Sequence, residues 1–220
     1  MEIIQKSLSL FFIYSFLGWV IEVVYVSIDN KKICDRGFLI GPICPIYGIS
    51  GVAMTLLLSK IQHQYIFVFL ASTILCTAFE YLTSFVMEKL FKTRWWDYST
   101  EKFNLNGRVC LKNALLFGIL GTLVVTVLSP TLWKLIQIET LNIILMICVV
   151  VFIIDFIISF TIMHKIKVAT EDIKKDNTEE INKKVQEYVQ KQSFLYKRLF
   201  KAFPYYKIIQ RIKKKVRGRK

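Results

Sequence analysis

Three acidic residues, Glu22, Glu80 and Asp155, stand inside long runs of apolar residues. An ionisable side chain at the centre of a membrane helix costs about 2.5–3.5 kcal/mol, and such residues usually mark a substrate or proton path. Each acid follows the start of its run by about 14 or 15 residues, which corresponds to about 21–22 Å of helix. The shared depth predicts one polar site. Asp155 has only apolar neighbours in the sequence, so Glu22 and Glu80 are the main candidates for this polar site.

The runs that carry these acids have the length of transmembrane helices. The chain has 220 residues, of which 54% are hydrophobic, yet 30 Lys and Arg give it a net charge of +14. Its apolar residues fall into blocks that match the roughly 20 residues needed to cross a bilayer. We therefore predict an all-α integral membrane protein with a transmembrane domain over 1–163 and a cytoplasmic tail over 164–220. The five predicted helices are 8–28, 38–58, 65–85, 109–128 and 141–163.

The distribution of Lys and Arg predicts the orientation of these helices. Five helices place the two termini on opposite sides of the membrane. If the tail is cytoplasmic, the cytoplasmic segments carry 26 Lys and Arg, whereas the outer segments carry only Lys6, Lys60 and Lys134. This imbalance follows the positive-inside rule. We expect a multi-pass protein of the cell membrane with its N-terminus outside and its C-terminus in the cytoplasm.

An internal repeat links the first two predicted helices to the next two. The first copy comprises Glu22, Gly41–Cys44 and Tyr47–Gly51, and the second comprises Glu80, Gly107–Cys110 and Phe117–Gly121. An acid, a GxxC motif and an aromatic-GIxG motif thus recur in the same order. The pattern predicts a parallel repeat about an axis along the membrane normal, with the two acid-bearing helices facing each other. The repeated glycines favour close helix packing.

Two cytoplasmic loops carry the remaining polar candidates. Arg36 precedes a segment rich in Gly and Pro, and broken helices of this kind often line a polar cavity. The second loop contributes Trp96, Asp97, Asn104, Asn106 and Arg108. Its aromatic residues are typical of an interfacial belt, and its polar residues could form a lid beneath the acids. Arg36 and Arg108 could hold an anionic or phosphate group bidentately. Alternatively, the acids are protonated or pair with Arg36, Lys92 or Arg108, and they only lock helices together.

Three ordered motifs resemble a known family. The runs Tyr14–Glu22, Arg36–Gly48 and Trp96–Ser99, the last followed by Asn104–Arg108, are similar to the bacterial type IV ABC-transporter permeases of the CmpB type. The resemblance covers roughly residues 8–125. It implies a small multi-helix membrane protein that serves as a permease component, and it carries no substrate.

The leading functional hypothesis is a transport permease or the membrane subunit of a transporter. Five helices are few to enclose a path, so we expect a homo-oligomer. No GxxxxGK[ST] motif occurs in the sequence, which predicts ATP hydrolysis by a separate ATPase subunit. One alternative is a membrane-embedded enzyme that acts on a lipid or lipid-linked substrate. In that case Glu22 and Glu80 could serve as general acid and base, or together with Asp97 they could hold a divalent cation. Another is a non-transporting scaffold. The Cys and His spacing predicts neither a structural metal site nor a cofactor.

The tail is strongly basic. Residues 164–220 hold eighteen Lys and Arg against six acids, and apolar residues recur at helical spacing between Ile181 and Phe203. A basic amphipathic helix beside a membrane most simply binds anionic lipid head groups. Docking to a cytoplasmic partner remains open, and the tethered tail needs no nucleic acid to explain its charge.

Overall fold

The computed structural model of the protein describes residues 2–30, 37–91, 95–136 and 138–171. Its elements are α1 (Glu2–Asn30), α2 (Pro45–Leu58), α3 (Tyr65–Phe91), β1 (Asn104–Leu105), β2 (Val109–Cys110), α4 (Leu111–Leu123), α5 (Ser129–Leu135) and α6 (Ile138–Glu171). A 3₁₀ turn, Ser59–Ile61, follows α2, and a π turn, Val124–Leu128, joins α4 to α5. The two strands pair as a short antiparallel hairpin. The predicted amphipathic tail helix lies outside the described residues.

Among the described residues, four helical segments are long and apolar enough to cross a membrane. They are Glu2–Ile28, Tyr65–Phe91, Leu111–Leu135 and Ile143–Lys165. Within a bilayer the backbone must satisfy its own hydrogen bonds, which an α-helix achieves within one segment. The predicted all-α membrane fold is therefore confirmed.

The second predicted span has a different form from the other four. Helix α2 and its 3₁₀ turn form a shorter apolar segment, Pro45–Ile61, so residues 38–44 of the predicted span 38–58 are not helical. Pro45 lies in the first turn of α2. Backbone N–H groups there have no acceptor within the helix, so proline, which lacks an N–H, is tolerated. The Cys44 N–H instead donates to the Ser15 carbonyl at 2.9 Å, which ties this non-helical segment to α1.

The helices form two hairpins with α6 packed beside them. Helix α2 packs on α1, α4 packs on α3, and α6 contacts both α1 and α3. Aromatic rings make much of the α6 contact. The Phe152 ring lies 5.5 Å from that of Phe11, and the Phe160 ring lies 5.4 Å from that of Phe91. Helix α6 therefore contacts both hairpins.

The sequence repeat coincides with a repeat in helix packing. Gly48 of α2 abuts Phe11 and Ser15 of α1, and Gly118 of α4 abuts Phe69 and Thr73 of α3. In each hairpin the contacted residues precede the acid of that hairpin, Glu22 or Glu80, by eleven and seven positions. A Cβ on either glycine would overlap these neighbours. The two hairpins are therefore packed in the same register relative to their acids.

A second pair of glycines follows the same rule. Gly51 abuts Tyr14 and Gly121 abuts Ser72, and both partners stand eight residues before the acid of their hairpin. Small residues that let helices approach closely are typical of helix–helix contacts within membranes. The predicted packing role of the repeated glycines is confirmed.

Candidate functional site

Glu22 lies on α1 and is half-buried. The Tyr47 hydroxyl donates a hydrogen bond to Glu22 Oε1 at 2.7 Å. Tyr47 stands in the first turn of α2, and its ring lies against Gly18, where a Cβ would overlap the ring. Because Gly18 is one helical turn before Glu22, the missing side chain lets the ring reach the carboxylate.

Glu80 occupies the equivalent position on α3 and is only 4% exposed. The Tyr98 hydroxyl, which comes from the loop between α3 and α4, donates to Glu80 Oε1 at 3.1 Å. Glu80 Oε2 is also buried and has no hydrogen-bond partner in the part of the chain that the structure describes. Buried polar atoms are seldom left without a partner, because the lost hydration is costly.

The two carboxylates act on the same phenol. The pKa of Tyr98 is raised well above its usual value by burial, then by the charge of Glu80 and the hydrogen bond to it, and then by the charge of Glu22. A hydrogen bond with the Asn113 side chain acts in the opposite direction. Tyr98 therefore stays a neutral donor at physiological pH, within electrostatic range of both acids.

Two equivalent aromatic residues of the repeat contact each other. Tyr47 and Phe117 open the two aromatic-GIxG motifs, and their ring centroids lie 6.5 Å apart in an edge-to-face arrangement. Phe117 has no hydroxyl, so it cannot serve Glu80 as Tyr47 serves Glu22. Tyr98 supplies the missing donor from the loop. We call Glu22, Tyr47, Glu80 and Tyr98 the carboxylate–tyrosine cluster.

The predicted lid residues hold the shape of the loop that carries Tyr98. Trp96 Nε1 donates to the Arg108 carbonyl at 2.7 Å, and the Ser99 N–H donates to Asp97 Oδ1 at 3.0 Å. Asn104 Oδ1 accepts from the Gly107 N–H at 3.0 Å, and Asn106 Nδ2 donates to the Tyr81 hydroxyl at 3.0 Å. Asn106 and Gly107 both have positive φ, 55° and 67°, which Asn and Gly tolerate best. Their hydrogen bonds shape the loop.

Arg108 is held by α3 and contacts neither member of the glutamate pair. Its guanidinium binds Glu88 Oε2 at 2.8 Å and approaches Ser84 Oγ at 3.4 Å. The Tyr81 and Phe85 rings flank it, with centroids 5.6 and 5.4 Å away. The helix-locking ion pair of Arg108 is therefore with Glu88. Arg36 and Lys92 lie outside the described residues.

Asp155 of α6 binds the non-helical segment before α2. Its Oδ1 accepts from the Ile40 N–H at 2.8 Å and from Ser159 Oγ at 3.0 Å, and its Oδ2 accepts from the Gly41 N–H at 2.7 Å. Gly41 and Gly107 are equivalent in the repeat, and each N–H is satisfied by a side-chain oxygen, from Asp155 or from Asn104. Asp155 thus caps a backbone segment and has a different role from the two glutamates.

Sequence reasoning missed the hydroxyl partners of the acids and the partner of Arg108. These residues are Tyr47, Tyr98 and Glu88. A signal for the tyrosines existed, because Tyr47 opens a repeated motif and Tyr98 stands inside the Trp96–Ser99 run. A buried carboxylate requires donors, and both phenols belong to the motifs that the sequence singled out.

These features define a multi-pass α-helical membrane protein built on two hairpins in equivalent register. Residues 9–160 match the family described as "Putative ABC-transporter type IV". The chain belongs to this family. The match extends beyond the predicted range of 8–125 and includes Asp155. Neither the curated proteins nor the solved structures gave a match.

Proposed function

We propose that this chain is the membrane subunit of a transporter and that its substrate path passes the carboxylate–tyrosine cluster near the cytoplasmic face. One observation carries the proposal. Glu80 is 4% exposed, and one of its carboxylate oxygens has no partner among the described residues. Asp155 provides the contrast, because both of its oxygens accept hydrogen bonds. A carboxylate with a structural role is satisfied in this way, and Glu80 is not.

The placement of the cluster supports the same function. Glu22 and Glu80 come from equivalent positions of two hairpins, and transporters often bind substrate where internal repeats meet. The segment 37–44 adds a non-helical backbone next to the cluster, since it leads directly into Tyr47. Non-helical backbone at membrane depth is tolerated where it is buried in protein or lines a cavity.

Energy for transport comes, in this proposal, from a separate ATPase subunit. The family description names an ABC transporter, and the chain carries no GxxxxGK[ST] motif to bind ATP itself. The four long apolar helices and the one short helix of the described residues are few to surround a path, so the proposal includes a second copy of the chain.

The test is affinity purification of the chain, tagged at its natural expression level, from native membranes in mild detergent. We expect an ATP-hydrolysing subunit to co-purify, and its ATPase rate in proteoliposomes to depend on this chain. Glu80→Gln should lower that rate at least tenfold, whereas Glu101→Gln, which neutralises an exposed loop acid, should leave it unchanged. Purification without any ATPase, together with no ATP-dependent flux, would contradict the proposal.

A further inference from the structure

We infer that the carboxylate–tyrosine cluster binds a monovalent cation, either an ammonium group or an alkali-metal ion, lying between Glu22 and Glu80. The inference names the class of substrate or coupling ion for the transport site and rests on that proposed function.

The first argument is the balance of charge at the cluster. The Tyr47 and Tyr98 hydroxyls bind Glu22 and Glu80 at 2.7 and 3.1 Å, and both carboxylates act on Tyr98, so the two acids share one small region. The ion pairs Lys6–Glu2 and Arg108–Glu88 engage other carboxylates, and within the described residues no cationic side chain forms an ion pair with either glutamate. Like charges repel strongly in a low-dielectric interior. A bound cation would turn this repulsion into two attractions.

The second argument is the set of atoms left to face a ligand. The Tyr47 and Tyr98 hydroxyls donate their hydrogens to Glu22 and Glu80, so only their oxygen lone pairs remain for another partner. Glu80 Oε2 is buried and has no hydrogen-bond partner among the residues that the structure describes. The cluster thus offers acceptors, which suit a metal cation or N–H donors. The neighbouring Tyr47 and Phe117 rings add faces that attract positive charge.

The third argument concerns Arg108, which lies in the same loop between α3 and α4 as Tyr98. An anion held by Arg108 would have to compete with Glu88, which binds the guanidinium at 2.8 Å. The Arg108 side chain is only 11% exposed. The described residues therefore favour a cation over the phosphate group that paired arginines would select.

The test measures binding by the full chain alone, purified in a non-ionic detergent. The melting temperature, followed by intrinsic Trp and Tyr fluorescence, is recorded with NaCl, KCl, methylammonium chloride and the bulky choline chloride as probes. At ten times the Kd of a bound probe we expect a rise of about 3–6 °C. The alkali salts and methylammonium chloride show whether the bound cation is an alkali-metal ion or an ammonium group. Inorganic phosphate, added as its choline salt, tests for binding of an anion.

Variants locate the binding. Glu22→Gln and Glu80→Gln should each abolish the rise, and Tyr98→Phe should weaken the apparent affinity about tenfold, the loss expected for one hydrogen bond to a charged group. Glu101→Gln and Tyr25→Phe, which change an exposed acid and an exposed phenol, should retain the full rise.

Three results would overturn the inference. These are a rise with phosphate alone, no rise with any cation between pH 6 and 8, or an undiminished rise in Glu80→Gln. Because the chain is measured without an ATPase, failure to bind cations would leave the transport proposal standing. Failure to find an ATPase would likewise leave the cation site standing.

Discussion

At the scale of single residues, Tyr98 connects the loop between α3 and α4 to the membrane interior. Its hydroxyl binds Glu80 at 3.1 Å, and its pKa is raised by burial and by the charges of Glu80 and Glu22. A phenol with these neighbours resists ionisation, because a phenolate would stand beside two carboxylates in a poorly solvated place. From the same coupling we expect the folded protein to lose stability at alkaline pH.

We predict that Tyr98→Phe flattens the alkaline loss of stability. The folded protein holds the Tyr98 proton more tightly than the unfolded chain, so stability falls as pH rises above the unfolded pKa of about 10. The measurement is the melting temperature from pH 8 to 11. Wild type and the control Tyr25→Phe, whose phenol is 60% exposed, should share a steep decline. Equal slopes in all three proteins would show that Tyr98 is not coupled to the acids.

At the scale of helices, the register of the two hairpins depends on glycines whose neighbours differ. Gly48 faces the Phe11 carbonyl as well as side chains, whereas Gly118 faces only the side chains of Thr73 and Phe69. Side chains can rotate away from an added methyl group, and a helix backbone cannot. The equivalent positions therefore differ in tolerance although their sequence motifs agree.

We predict that Gly48→Ala destabilises the protein more than Gly118→Ala. Overpacking typically costs about 1–3 kcal/mol, and Gly48→Ala should lie at the upper end because backbone must move. The free energy of unfolding in mixed detergent measures the difference. Ile49→Ala is the matched control, since Ile49 is 50% exposed on the apolar surface of α2 and its truncation opens no core cavity. A larger loss for Gly118→Ala would contradict the proposed packing.

Asp155 makes a second prediction at this scale. An Asn in its place has a single oxygen acceptor, so Asp155→Asn leaves the Ile40 or Gly41 N–H without a partner, at a cost of about 1–3 kcal/mol. The freed segment 37–44 should then expose Cys44, which is 7% exposed in the native protein. N-ethylmaleimide labelling of Cys44, read by peptide mass spectrometry, should become at least tenfold faster.

The control for this experiment is Thr161→Val, which removes a hydroxyl on α6 that bonds only its own helix. It should leave Cys44 labelling slow. Slow labelling in Asp155→Asn as well would show that the segment is held by other contacts.

Particular elements show what the sequence could and could not predict. Hydrophobic length predicted membrane helices because lipid leaves the backbone few alternatives. The same measure overran the start of α2, since residues 37–44 are apolar while Pro45 sets the first helical turn. The repeat predicted equivalent acids and packing glycines from residue order alone. The Tyr98–Glu80 bond and the Asp155 cap join residues 18 and 114 or more positions apart, and only the packed helices bring them together.

At the scale of the whole molecule, charge predicts how the chain sits in the membrane. Lys6, Lys60 and Lys134 lie at helix ends opposite the loop that carries Arg108. Helix α6 ends on the loop side, where Ile162 and Met163 pack against Phe91 and Trp95. From the positive-inside rule we predict that the N-terminus is outside. A C-terminal green fluorescent protein fusion should fluoresce, and a C-terminal alkaline phosphatase fusion should be inactive. An active phosphatase with a dark fluorescent protein would reverse the orientation.

The central claim is that Glu22 and Glu80 form one site, and a double-mutant cycle tests it most directly. Chain-dependent ATPase activity in proteoliposomes is measured for Glu22→Gln, Glu80→Gln and the double variant, with equal membrane insertion as the control, because neutral glutamine costs less to insert. If the two carboxylates share one ligand, the double variant loses no more activity than the more damaging single variant. Losses that multiply would place the acids in separate sites, and full activity in both single variants would make them structural.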